Sequence, residues 1–343
     1  MANDDGQDEN VLHIGMDLGT SRSAVAASNG QRAWVESYVG WPKDFVSKKM
    51  LGERVLFGDE ALDNHTSLDM VRPLEQGVIR EGTERDEEAV QELIHHLIER
   101  VGGSAGSDAV HAAVGVPAEA LRVNKMAIRD AVREHADALM VVSEPFAVAY
   151  GLDALNNTLI IDIGAGTVDF CVMRGAMPEE EDQRSLTNAG DQIDRQLLEL
   201  LEERYPEARF SDRAARKYKE QHGFIKKNGR MSVKVDVPVG GKVTSLTITD
   251  EVRQACSGIL APLVETAVDL IARYTPEFQE KVRENIYLAG GGSQLVGLAE
   301  AVEEELSEYG PCTVKTVDDP LYAGANGALT LAQDMPEEYW EDM

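Results

Sequence analysis

Two acidic residues occupy the same position in two similar segments, next to backbone that suits phosphate. Asp17 closes the apolar run VLHIGMD (11–17) and is followed by the turn Leu18-Gly19-Thr20-Ser21 and a second apolar stretch, Ser23 to Ala27. Asp162 lies in NTLIIDIGAGTVDFCVM (157–173), ahead of a Gly-Ala-Gly turn and another β-branched run. Both read as strand, small-residue turn and returning strand. Small residues let backbone N–H groups face a phosphate, and a carboxylate at a strand's C-terminal end can hold Mg²⁺ largely through water. One Asp-x-Gly turn is ordinary loop chemistry. Two copies about 145 residues apart point to a duplicated architecture with pseudo-symmetric halves. A third Gly-rich turn, LAGGGSQLVGL (288–298), joins a strand to a helix and permits close approach to a flat ring or a phosphate. The sequence has no GxxxxGK[ST] P-loop, and no GxGxxG follows the first strand.

The elements that must position these turns alternate along the chain. Apolar residues at helical spacing predict a helix over Arg85–Val101, ended by the flexible run 102–107. HAAVGVP (111–117) reads as a buried strand, Asn124–Asp137 as a helix, and LMVVSEP (139–145) as a strand leading into a helix from Phe146. Ala189-Gly190-Asp191 opens a helix, a further helix covers about 211–226, and 233–249 reads as a hairpin around Gly240-Gly241. Asp250 is expected to cap a long helix to about Tyr274. NIYLAGG (285–291) is a strand, and a helix follows over Val296–Tyr309. Alternating strands and helices make this an α/β protein. The run Glu179–Asp182 reads as a solvated loop, Met173 and Met177 as core filler, and Trp34 as a core residue or a contact anchor.

Composition narrows the function classes. With 33 Lys and Arg against 61 Asp and Glu the formal charge is −28, which repels nucleic acid and anionic lipid. The acidic start MANDDGQDEN has no basic or apolar leader. No stretch approaches the roughly 18 uninterrupted apolar residues of a membrane span. Direct nucleic-acid binding and membrane insertion are therefore not expected, and a cytoplasmic location is. Cys171, Cys256 and Cys312 lack CxxC spacing and suggest neither disulfides nor zinc. Carboxylates spread along the chain, with Arg outnumbering Lys, resemble proteins of salt-loaded cytoplasm.

In their order and spacing the turns resemble the superfamily of actins, DnaK-type chaperones and sugar kinases. The similarity runs through GMDLGTSRSAV (15–25), SEPFAVAYG (143–151), DIGAGTVDF (162–170), AGGGSQLVG (289–297) and DDPLYAGANGAL (318–329), covering nearly the whole chain. Prokaryotic actins of the MreB type are resembled further through RPLEQGVI (72–79), AGDQID (189–194) and ITDEVRQA (248–255). Magnetosome-chain actins of the MamK type are resembled through VGWPKDFVSKKMLG (39–52) and PEEYW (336–340). The acidic bias adds a likeness to haloarchaeal actins of the salactin kind.

This resemblance implies an actin-like ATPase fold: two pseudo-symmetric RNase H-like halves, each with a smaller inserted subdomain, and ATP in the central cleft. It divides the chain into an acidic tail (1–10), domain I (11–150, with subdomain IB inserted over about 31–71), domain II (151–319, with subdomain IIB over about 191–250) and a segment 320–343 returning to domain I. By the same resemblance Glu144 orients the water that attacks the γ-phosphate, aided by Asp162, and Asp17 and Asp162 order the hydration shell of Mg²⁺. Gly19, Thr20, Ser21, Gly164, Ala165, Gly166 and Thr167 cradle phosphates. Gly190, Asp191 and Asp194 match the ribose side and Lys219 a base-proximal lysine, while Gly290, Gly291, Gly292 and Ser293 match the adenosine wall. Arg216 stands where MreB-type actins carry a Glu beside the ribose. The implied ligands are ATP or ADP with Mg²⁺. The implied partners are further copies in a homopolymeric filament and an adaptor to cargo, whether organelle, plasmid or chromosome. The rivals are a small-molecule kinase of the same superfamily and a DnaK-like chaperone, which would need a separate substrate-binding chain.

Overall fold

The apolar runs read as strands pair into two sheets of one shared connectivity. The computed structural model of the protein describes residues 11–76, 78–79, 83–102, 109–118, 121–133, 135–226 and 232–342. The acidic tail 1–10 and residues 103–107 of the Gly/Ser run lie outside the described residues. Contacts divide the chain into two compact units, one taking the described residues up to Asp153 and those from Leu321 onward, the other Ala154–Pro320.

In the first unit β1 (Val11–Leu18), β2 (Arg22–Ala27) and β3 (Arg32–Glu36) form an antiparallel meander. Then come β4 (Val39–Pro42), α1 (Phe45–Leu51), β5 (Leu56–Phe57), α2 (Gly58–Asp63), β6 (Leu68–Val71) and the short pair β7 (Leu74–Glu75) and β8 (Val78–Ile79). α3 (Glu84–Arg100), β9 (Ala109–Val116), α4 (Leu121–Val132), β10 (Ala138–Ser143) and α5 (Glu144–Gly151) follow. β9 lies parallel to β1 and β10 parallel to β9, so the sheet runs β3-β2-β1-β9-β10. β4, β5 and β6 make a separate three-stranded sheet. Residues 32–36, expected in the inserted subdomain, thus belong to the large sheet, where Ala33 and Val35 face inward.

Two helix ends differ from expectation for visible reasons. α4 stops at Val132 and not at Asp137, because the Asp137 carboxylate accepts from Val110 N (2.8 Å) at the start of β9. α5 starts at Glu144, two residues before Phe146, because Pro145 fits a first turn where its missing N–H costs nothing.

The second unit repeats the plan. β11 (Asn156–Ile163), β12 (Val168–Arg174) and β13 (Gln183–Leu186) form the meander. α6 (Gly190–Arg204), α7 (Asp212–His222), the hairpin β14 (Lys234–Val239) and β15 (Lys242–Thr247), α8 (Thr249–Ser257), α9 (Leu260–Ile271) and α10 (Pro276–Arg283) come next. β16 (Ile286–Ala289), α11 (Leu298–Leu306) and β17 (Val314–Thr316) complete a sheet of order β13-β12-β11-β16-β17, matching β3-β2-β1-β9-β10 strand for strand. One apolar core joins this sheet to α6, α8, α9 and the hairpin through Phe170, Leu197, Val235, Val252 and Leu263.

The long helix expected from Asp250 is divided at Gly258-Ile259, and Ile248, not Asp250, occupies its N-cap. Residues Thr249–Ile271 are long and apolar enough, by length and composition alone, to cross a membrane. Leu263, Ala267, Leu270 and Ile271 of this stretch are buried in the unit's own core. After β17 the chain returns to the first unit, where α12 (Ala323–Asp334) packs on β1 and α5, and β18 (Glu341–Asp342) pairs with β10.

The acidic run 179–182 is not a simple solvated loop. Asp182 is buried and accepts from Arg174 Nη2 (2.9 Å), Glu179 N (2.9 Å) and Tyr274 Oη (2.5 Å). Burial pushes its carboxyl up, but the bonds from Tyr274, Glu179 and Arg174 outweigh it and hold the group below the ordinary Asp value. Asp182→Asn should cost about 2 kcal/mol at neutral pH. A group with a depressed folded pKa stabilises above its unfolded pKa, so the difference from wild type in urea melts should shrink as pH falls below about 4. Met177, read as core filler, is 60% exposed; Trp34, read as a core residue or a contact anchor, is 37% exposed.

Candidate functional site

In the first unit Asp17 sits near the end of β1, in register with Ala24 of the returning strand and Gly115 of the parallel one. The turn after it is tied down through its carbonyls. Ser37 Oγ donates to Gly19 O (2.7 Å), Arg72 Nε to Thr20 O (2.8 Å) and Ser37 N to Ser21 O (2.9 Å). C=O and N–H of a trans peptide point in opposite directions, so the N–H groups of Thr20 and Ser21 face away from these anchors. The first turn of α12 lies so close that a side chain at Gly324 would overlap the Asp17 carboxylate. Glu144, buried at the first position of α5, stands across Gly115 from β1: a β-carbon on that glycine would lie 3.5 Å from Glu144 Cγ. Asp17, Gly19, Thr20, Ser21 and Glu144 are therefore brought together in this unit. Ser37, 20 residues beyond Asp17, was invisible in the sequence, whereas Arg72 opens the segment RPLEQGVI.

Asp162 holds the equivalent place in the second unit, on the central strand, in register with Asp169 of the returning strand and Ala289 of the parallel one. Here the anchors are the opening amides of α6: Gly190 N donates to Gly164 O (3.1 Å) and Asp191 N to Ala165 O (2.8 Å). The N–H groups of Ala165 and Gly166 are thereby turned outward, and Gly164 N closes the turn onto Thr167 O (2.9 Å). The same device is built twice, from two side chains and a loop amide in one unit and from a helix start in the other.

The Gly290–Ser293 turn lies directly on this one. Gly290 has φ +71°, and a β-carbon there would overlap Asp162 Oδ1 and come within 2.6 Å of Ile163 O. Only glycine supplies both the left-handed conformation and the approach. Ser293 is buried, and its Oγ donates to Gly290 O (2.7 Å), so it fastens the turn from within. Of the three glycines only Gly291 faces open space. Lys219 Nζ donates to Asp194 Oδ2 and to Gly190 O, both at 2.9 Å. Burial pushes the Asp194 carboxyl up, Lys219 draws it back and Asp191 adds to the push. Asp194 Oδ1 is buried without a hydrogen-bond partner among the described residues. Arg216 pairs with Glu220 (3.0 Å).

Taken unit by unit, the donors fit phosphate: each unit offers outward amides beside a carboxylate, and in the second unit Asp194 Oδ1 is an acceptor suited to a hydroxyl. Among the described residues no three His, Cys, Asp or Glu side chains converge to enclose a metal. Asp17 and Asp162 each present oxygen ligands of the kind Mg²⁺ accepts while keeping most of its water.

The family model described as MreB/Mbl protein matches residues 11–339. The actin-like protein MamK of Magnetospirillum gryphiswaldense is 39% identical over 340 residues, covering 99% of this chain and 94% of the relative. Among solved structures, a MamK double helical filament superposes with TM-score 0.91 at 39% identity, covering 95% of this chain and 100% of that one. A non-polymerising MamK mutant bound to AMPPNP superposes with TM-score 0.74 over the same share of this chain. Salactin of Halobacterium salinarum is only 25% identical, over 95% of this chain and 92% of its own length. The likeness to haloarchaeal actins drawn from the acidic bias therefore gives way to the MamK type, and the salt-loaded and chromosome-moving readings gain no support from these relatives.

Proposed function

Since the chain belongs to the MreB/Mbl family and has its actin-like fold, we propose that it is an ATPase that polymerises with Mg-ATP and positions intracellular cargo through an adaptor. The observation that carries this is the duplicated turn, with carbonyls tied back and amides turned outward beside Asp17 and Asp162. Bound Mg²⁺ would neutralise charge on the phosphates. Asp17 and Asp162 order its water shell, and the amides of the two turns bind phosphate oxygens. Asp194 accepts from the ribose. Glu144 orients the attacking water. As its oxygen bonds to the γ-phosphorus, the bond to the β,γ-bridging oxygen breaks, ADP leaves, and the water's proton passes toward Glu144. Hydrolysis then weakens contacts between copies, so ATP times disassembly.

Self-association must overcome the −28 charge of each copy. Helix α1 supports a contact role for the region 31–71: Phe45 and Met50 are 81% and 71% exposed beside Lys43, Lys48 and Lys49, a basic apolar patch on an acidic chain. The test is electron microscopy and sedimentation of purified protein with ATP, with ADP and without nucleotide, over a KCl series. Filaments with ATP are expected, more readily as salt screens the repulsion. A chain that never pellets at any salt while phosphorylating a metabolite would instead be a kinase.

A further inference from the structure

The end of α7 reaches both Gly-rich turns of its unit through different atoms. On one side Lys219 Nζ holds Gly190 O and Asp194 Oδ2 at 2.9 Å, and the Gly190 and Asp191 amides hold Gly164 O and Ala165 O. On the other side the backbone just beyond α7 pairs with the loop after Ser293: Val296 N donates to Gly223 O (3.2 Å) and Ile225 N to Val296 O (2.8 Å). Gly223 N closes onto Lys219 O (2.7 Å), so the two connections leave one helical turn.

Helix propensity and capping do not explain Lys219. A cation beside the first turn of α6 opposes that helix's dipole, and the Lys219 side chain is only 13% exposed. The N-cap, Ala189, offers no side-chain cap, and two of the helix's opening amides are spent on the 164–167 turn. The start of α6 is thus located by that turn on one side and by Lys219 on the other. A largely buried ion pair adds little net stability against a packed apolar pair. What it can add is a fixed position.

We infer that Lys219 is a positioning residue: it holds the first turn of α6, and through it the Gly164–Thr167 amides, in the place set by α7, and does not act by touching the base. This rests on the nucleotide reading above and deepens it, because a displacement of α7 would reach the phosphate-binding amides through the Lys219 side chain as well as through the packing of α7 on α6.

The test compares wild type, Lys219→Met, which keeps the stem and loses the donors, and Lys219→Arg, which keeps them. ATP and adenine affinities are measured by competition with a fluorescent nucleotide, adenine being chosen because it lacks the ribose that Asp194 would hold, and phosphate release is resolved into kcat and KM. Misplaced amides act on phosphates, so Lys219→Met should weaken ATP about 10–100-fold and lower kcat at saturating ATP, while adenine affinity stays within about threefold and Lys219→Arg recovers most of the loss. Equal losses for ATP and adenine would make Lys219 a base contact and overturn the inference. So would ATP affinity and kcat unchanged in a folded Met variant. Should the Met variant not fold, Lys219→Gln, too short to span both acceptors, is judged by the same two outcomes. A wild-type protein that binds neither ligand would instead sink the nucleotide reading itself and this inference with it.

Discussion

Asp162→Ala should cut steady-state phosphate release from Mg-ATP by about 100-fold or more while filaments still form with ATP. The carboxylate stands near the end of the central strand β11, flanked by β12 and β16, and is only 8% exposed. The strand's register, the closure of Gly164 N onto Thr167 O and the α6 amides on Gly164 and Ala165 are all backbone bonds. Removing the side chain leaves that cradle standing, so phosphate binding should survive. Under the proposed mechanism, what is lost is the group that would order metal-bound water and help Glu144 align the attacking one, and removing such a preorganised contribution costs on the order of 10²–10³ in rate. Glu144→Ala should behave alike. Phosphate release and sedimentation measured in the same sample decide: unchanged hydrolysis takes these carboxylates out of the reaction, and joint loss of hydrolysis and assembly makes them binding residues.

Gly290→Val should remove nucleotide binding and destabilise the protein by roughly 3 kcal/mol or more. Valine is strained at φ +71°, and its β-carbon would overlap Asp162 Oδ1 and press on the backbone of Ile163, which has nowhere to move inside the sheet. The damage should thus reach fold and site together. Gly291→Ala is the control, because nothing lies within 4 Å of the added carbon; its stability should stay within about 0.5 kcal/mol of wild type. Urea melts and nucleotide titration of both variants check this. A Gly290→Val protein that melts and binds like wild type would show that the loop does not press on Asp162.

The strands were legible because burial on a pleated surface leaves a period that few other structures share: VLHIGMD and NTLIIDI became the central strands β1 and β11. The turns were legible because glycine and aspartate at a strand's end are demanded by backbone conformation and charge, which are properties of single residues. Helix ends were read less well. The 124–137 helix was cut short by Asp137 bonding to Val110, and the long helix after Asp250 was interrupted at Gly258. Local propensity does not register the Val110 partner of Asp137, and a single glycine at 258 only weakens a helix, which is too small a signal to mark a break.

By itself the sequence marked out the two strand–turn–strand segments around Asp17 and Asp162 and a duplicated α/β plan, since each signal is written within a dozen residues; Glu144 was singled out through the resemblance to actin-type ATPases. Only the tertiary structure decided how the turns are held: by Ser37 and Arg72 in one unit, by the start of α6 with Lys219 in the other, and by Gly290 resting on Asp162. It also turned Asp182 from a surface charge into a buried anchor for Arg174 and Tyr274. Serine, arginine, lysine and aspartate are ordinary surface residues whose hydrogen bonds are interchangeable in sequence. Which carbonyl each one reaches, tens of residues away, is chosen by the packing of the sheets and helices between them.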